Sequence, residues 1–199
     1  MNYNSNKIME IKDTYCVYKT LREMLQDRGY KITNIFSFEE FNVMYEENNY
    51  DIIDDENKIY AMFYKDSKTF GKKDLETIVS KIHAEYGENI NIIIILKDKY
   101  NVIIEKELSN EYYQNVEIFL FKNLTFNITK HVDMPKFYPM TEEEIKEITD
   151  KYKTKKTQFP RMLLTDPIAR YYGVKSGGMF RIVRKSPASG NYITYRMVR

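Results

Sequence analysis

Four acids fall within six residues, Asp51, Asp54, Asp55 and Glu56, and Lys58 follows Glu56 at a Glu-x-Lys spacing. Metal-dependent nucleases use acids beside such a pair to hold Mg²⁺ against a scissile phosphate. That chemistry also needs a carboxylate from a second strand, and these acids are bunched in one stretch. The other reading is a solvated acidic loop. His83, His131 and Cys16 are the only residues of their types. A metal site takes three or four ligands at suitable spacing, so neither a metal nor a cofactor is expected, and a single cysteine excludes an internal disulfide. His83 lies beside the apolar stripe of a helix and reads as a structural or surface residue. His131 falls at a module junction. Asp166 before Pro167 suits a helix N-cap with proline in the first helical position. Gly177 and Gly178 lack the spacing of a phosphate loop and its following Lys-Ser/Thr, and read as a turn before a strand. No catalytic set is therefore expected.

Charge is distributed unevenly. The chain carries a net charge of only +2, but from Lys151 to Arg199 twelve basic residues accompany one acid, Asp166. Such asymmetry suggests two modules and an acidic partner for the second. Its lysines and arginines could neutralise phosphates, form a protein interface, where Arg and Tyr are enriched, or be solvated surface. Composition leaves the three open. No apolar run approaches the length of a membrane-spanning helix, and Met1 to Lys7 has no signal-peptide character. An intracellular location is the default expectation.

The elements that must position these residues follow from periodicity. Residues 13–28 read as an amphipathic helix with Val17, Leu21, Met24 and Leu25 on one face and Gly29 as its stop. Ser37 with Glu40 forms a capping box that opens a helix to about Glu47. Helix 72–86 carries Leu75, Ile78, Val79, Ile82 and Tyr86 at helical spacing. Ile59–Tyr64, Ile90–Leu96 and Val116–Phe121 suit strands. Strands alternating with helices argue for an α/β layer over residues 1–130. Pro135 and Pro139 break the chain at 131–139, read as a linker. In 140–199, Thr141 with Glu144 caps a helix with Ile145, Ile148 and Tyr152 on one face, and a short helix runs from Pro167 to Gly173. Met179–Lys185 and Asn191–Met197 form a hairpin through Ser186–Gly190. The fold class is α/β, α+β overall, with a small α+β C-terminal domain that ends in this hairpin. Phe180, Ile182 and Arg184 share one face of the first strand, and Met179, Arg181 and Val183 share the other.

Pro160-Arg161, Asp166-Pro167, Tyr172-Gly173, Arg184-Lys185-Ser186, Ser189-Gly190 and Tyr195-Arg196 occur in an order and spacing that no generic rule requires. On these residues the C-terminal module resembles the assembly domain of the fifth subunit of eukaryotic nuclear RNA polymerases, a domain shared with the archaeal counterpart of that subunit. His131, Pro135 and Glu143 fit the family's upstream signature, while Phe137 and Asp133 depart from it. Arg22 to Tyr30, ending Asp27-Arg28-Gly29-Tyr30, resembles the opening helix of the family's eukaryotic jaw domain.

The resemblance implies a non-catalytic subunit of a DNA-directed RNA polymerase. Residues 140–199 would dock on the largest subunit and residues 1–130 would form the lower jaw beside downstream DNA. Arg161, Arg170, Arg181, Arg184, Tyr195 and Arg196 are the interface candidates. The family places a Thr-Pro-Ser-Ala loop near DNA after the strand matching Ile90–Leu96. This chain has Lys97-Asp98-Lys99-Tyr100-Asn101-Val102 there, so Lys97, Lys99, Tyr100 and Asn101 are the DNA-proximal candidates. No membrane partner and no homo-oligomer are implied. The location would be nuclear in a cell. The Asn-, Ile-, Lys- and Tyr-rich composition would also suit a large DNA virus with its own polymerase, placing the chain in a cytoplasmic factory or virion. The competing class is a free-standing nucleic-acid-binding protein or Mg²⁺-dependent nuclease.

Overall fold

Five consecutive apolar residues, Ile92 to Leu96, need cover on both faces of a sheet. A computed structural model provides it. The structure describes residues 2–33, 35–54, 56, 58–65, 69–186 and 190–199, with backbone alone for 2–6 and Ser186. The chain divides into two units, Met1–Phe126 and Asn127–Arg199. No described helix is long and apolar enough to cross a membrane.

The first unit runs α1 (Asn2–Asp27), α2 (Phe38–Glu46), β1 (Ile52–Ile53), β2 (Ile59–Phe63), α3 (Lys72–Tyr86), β3 (Asn91–Leu96), α4 (Val102–Glu107) and β4 (Val116–Leu120). Its sheet has the order β1-β2-β3-β4. β1 pairs antiparallel to β2, whereas β2, β3 and β4 are parallel. Parallel neighbours need crossovers, and α3 and α4 supply them. Ile92, Ile94 and Leu96 pack with Leu75, Val79 and Ile82 of α3 and Ile104 of α4. Ile93 and Ile95 point to the opposite face and are equally buried. On that face Arg28, just past α1, lies over the Phe119 ring, and Tyr50 meets Phe63.

Sequence and structure agree closely on α3. Asp74 accepts a hydrogen bond from the Gly71 N–H at its start, and Gly87 at φ 92° ends it. The Ser37–Glu40 capping box is formed. α1 begins eleven residues earlier than the periodicity suggested, at Asn2. Ile11 and Thr14 extend its buried stripe toward the N-terminus, and no Gly or Pro interrupts the polar turns before them.

The second unit runs β5 (Lys136–Pro139), α5 (Glu142–Tyr152), β6 (Arg161–Met162), α6 (Pro167–Tyr171), β7 (Met179–Ser186) and β8 (Gly190–Val198), with sheet order β5-β7-β8-β6. The segment 131–139, expected as a linker, lies inside this unit and contains β5. Pro139 ends that strand and Pro135 precedes it, which an outer strand tolerates. β6 was not anticipated either, because two residues carry no period. One face of the sheet packs Phe180, Ile182 and Val198 with Ile168 and Ala169 of α6. The other packs Met179 and Met197 with Ile145 of α5. The Thr141–Glu144 capping box and the Asp166 cap are formed, the latter accepting from the Ile168 N–H at 2.9 Å. Of the expected turn, Pro187, Ala188 and Ser189 lie outside the described residues.

Candidate functional site

Asp51, Asp54 and Glu56 are all engaged by neighbouring groups of the fold. Asp54 is 3% exposed and so is not the solvated acid expected there, whereas Glu56 is exposed. Asp54 Oδ1 accepts from the backbone N–H of Lys58 and of Ile59, the latter at 2.9 Å, and thereby closes the β1–β2 connection. Glu56 takes hydrogen bonds from Lys31 and Lys58, which hold its carboxyl down to about 2. Asp51 accepts from the Phe63 N–H and the Tyr60 hydroxyl, both at 3.1 Å. Asp55 lies outside the described residues. Among the described residues no group of three or more His, Cys, Asp and Glu is placed to hold a metal ion.

Asp51 makes a pH dependence predictable. Burial pushes its carboxyl up, against the Phe63 N–H, Lys65 and Tyr60, which pull it down. A folded-state pKa above the unfolded one means the native chain holds the proton more tightly. The resulting stabilisation is complete below the ordinary aspartate value and is lost as pH rises through the raised one. Asp51→Asn should therefore raise the urea midpoint at about pH 7, and that gain should shrink toward about pH 3. Equal gains at both pH values would refute this account.

The 97–102 loop leaves β3 at its carboxyl end. Lys97 pairs with Glu10 of α1 and holds that carboxyl below the usual carboxylate range. Lys99 is exposed. Tyr100 packs on the α3 side core. Asn101 caps α4 by accepting from the Ile103 N–H at 3.3 Å. The loop borders a cavity of about 450 Å³ lined in part by Tyr45, Tyr50, Phe63, Lys65, Lys97 and Lys99. It sits beyond the carboxyl ends of parallel strands, where α/β sheets commonly open a crevice. Of the four candidates, Lys99 is the most available, because Tyr100 and Asn101 are occupied structurally and Lys97 is paired.

The C-terminal candidates divide between two faces. Arg181 and Tyr195 are partners across β7 and β8, on the α5 side. Arg181 lies over the Tyr138 ring at 5.2 Å, and Tyr195 packs edge-on against Tyr152 and Phe159. Arg161 is the partner of Met197 and so joins this face. Arg184 and Arg196 lie on the opposite face with Phe180 and Ile182. Arg170 sits half-buried in the last turn of α6. His131 Nδ1 accepts from the Asp133 N–H at 3.3 Å. The His83 and Tyr112 rings meet at 74° with centroids 5.8 Å apart, and neither His83 ring nitrogen has a hydrogen-bond partner among the described residues.

Sequence reasoning passed over exposed apolar residues beside these arginines, Leu163 and Leu164 after β6 and Tyr192 and Ile193 in β8. A Leu-Leu pair ending two residues before the Asp166 cap was the available signal. Tyr192 and Ile193 looked like ordinary strand residues.

Residues 126–198 match the family model described as RNA polymerase Rpb5, C-terminal domain. The chain is 33% identical over 202 residues to the Dictyostelium discoideum protein named DNA-directed RNA polymerases I, II, and III subunit rpabc1, covering 96% of this chain and 97% of that one. It is 30% identical to Caenorhabditis elegans DNA-directed RNA polymerases I, II, and III subunit RPABC1, over 92% of this chain and 93% of the relative. It is 28% identical to Arabidopsis thaliana DNA-directed RNA polymerases IV and V subunit 5B, over 98% and 93%.

Proposed function

This chain belongs to the RNA polymerase Rpb5 family, and from that premise we propose that it is a non-catalytic structural subunit of a multisubunit DNA-directed RNA polymerase. The observation that carries this reading is the similarity to a shared polymerase subunit across 96% of the chain. Both units are therefore included, not only the C-terminal one. Residues 127–199 dock on the largest subunit, and the first unit forms a jaw beside downstream DNA. The basic, aromatic surface of the second unit supports the docking role, since Arg and Tyr carry much of the energy of protein interfaces. Exposed Lys99, beyond the end of β3, supports the nearness to DNA. The role is positional, bracing the cleft and steering the duplex, and the nucleotidyl transfer belongs to other chains. The relatives are subunits of eukaryotic polymerases, which favours the nucleus over a viral factory.

Affinity purification of the tagged full-length chain from its source cells should recover the two largest polymerase subunits at moderate salt. Recovery of this chain alone, as a monomer, would count decisively against the proposal.

A further inference from the structure

The two edges of the second sheet are built differently. β5 closes one edge between Pro135 and Pro139, which have no N–H to offer, and places Lys136 there. Proline and lysine on an outer strand discourage further pairing. The other edge belongs to β8, because β6 reaches only Met197 and Val198. Upstream of β6 the chain turns away through the 3₁₀ turn Lys156–Gln158. No described strand lies beside Gly190–Tyr195 on that side.

The direction of the free backbone groups can be read from the ladder. Met197 N–H donates to the Pro160 carbonyl and Arg199 N–H to the Met162 carbonyl, both at 2.9 Å and both toward β6. Val198 N–H donates the other way, to Gly178 at 2.8 Å. Alternation along an antiparallel strand carries the outward direction back to Tyr195, Ile193 and Asn191. Among the described residues their outward N–H and C=O groups have no backbone partner. The stretch from Gly190 to Tyr195 contains no charge and no proline, and Ile193 is 48% exposed. An edge this open and this apolar lacks every guard that the β5 edge carries.

We propose that the β8 edge at Asn191, Ile193 and Tyr195 receives an extended acidic segment of another polymerase subunit as an added strand, an inference that rests on the polymerase reading above. Backbone hydrogen bonds would supply the register, and alternate side chains the specificity. The segment is acidic because the ribbon beside it carries Arg181 on one face and Arg184 and Arg196 on the other. An apolar residue of that segment would cover Ile193.

The test uses the full-length chain captured with the two largest polymerase subunits. Ile193→Pro removes one outward N–H and leaves the β7 ladder bonds intact, so recovery should fall by at least about tenfold. Ile193→Ala keeps the backbone N–H and loses only the side-chain cover, so it should be recovered at least about threefold better than Ile193→Pro. Hydrogen exchange gives a readout independent of folding in the variants. The amides of Ile193 and Tyr195 should exchange fast in the isolated chain and become protected in the assembled polymerase. If these amides stay unprotected there, or if Ile193→Pro is recovered like wild type, strand addition is wrong and the polymerase reading stands. Light scattering that finds an isolated dimer with these amides protected would assign the edge to a second copy, and overturn the proposal. Failure of wild type to recover the large subunits would overturn the polymerase reading, and this inference with it.

Discussion

Glu117→Ala is expected to cost the first unit about 3 kcal/mol, although Glu117 is a single acid on the outer strand β4. Its two oxygens accept from Nη1 and Nη2 of Arg28 at 2.8 and 2.9 Å, a bidentate pair. The Arg28 side chain is 6% exposed and lies 6.0 Å from the centre of the Phe119 ring. A guanidinium does not give up its proton, so a desolvated one depends on its carboxylate. The Glu117 side chain is itself 37% exposed, and water at that end places the effect at the lower part of the range for broken buried pairs. The pair also explains the Asp27-Arg28-Gly29-Tyr30 turn. Gly29 takes φ 92° to reverse the chain after α1, and the Tyr30 hydroxyl accepts from Asn91 Nδ2 at 3.2 Å on β3. Arg28 and Tyr30 thus tie the end of the longest helix to two adjacent strands. Urea unfolding followed by circular dichroism measures the loss. Arg28→Ala combined with Glu117→Ala should be less damaging than the sum of the single changes. A loss below about 1 kcal/mol for Glu117→Ala would mean the pair behaves as a surface one.

That same contact marks the limit of what the sequence disclosed. The elements with a full period were legible, and α3, β3 and the β7–β8 hairpin stand where alternation and helical spacing put them. Both capping boxes were legible because their partners are three residues apart. β1, β5 and β6 were not, since strands of two to four residues are defined by the neighbour they pair with. The Arg28–Glu117 pair spans 89 positions, and no local pattern encodes it. Asp54 looked like one acid among several in a polar loop. It is buried because two backbone N–H groups at the start of β2 converge on it, a fact about chain reversal and not about composition. The site was legible in kind and not in detail. A basic, aromatic C-terminal module was evident from residue counts, and the opposition of Arg181 and Arg184 followed from strand alternation. The open β8 edge depends on how far β6 extends, which only the folded sheet determines.

The second unit should be the more fragile of the two, and Phe180→Ala should reveal it. Phe180 is fully buried and meets Phe137 and Tyr172 edge-on, each with ring centroids 5.8 Å apart. Ile182, Val198, Met162 and Ile168 complete its surroundings. Truncating a buried phenylalanine costs about 3–5 kcal/mol, because the lost transfer energy adds to a cavity that neighbours refill only partly. A unit of this length has a total stability of roughly 4–11 kcal/mol, and small units bury a smaller share of their surface. The substitution should therefore bring residues 127–199 near their unfolding midpoint while the first unit, whose core is separate, stays folded. Two resolved unfolding transitions are expected where wild type has closer ones. Hydrogen exchange should accelerate across β7 and β8 and remain slow in β3. Polymerase capture should fall with it, in contrast to Ile193→Pro, which should lose capture without loss of the Phe180 core. If Phe180→Ala leaves exchange in β7 unchanged, the three-ring cluster is not what stabilises this unit. If instead β3 and β7 lose protection together, the two units unfold as one, and the loss of capture could no longer be assigned to the C-terminal sheet alone.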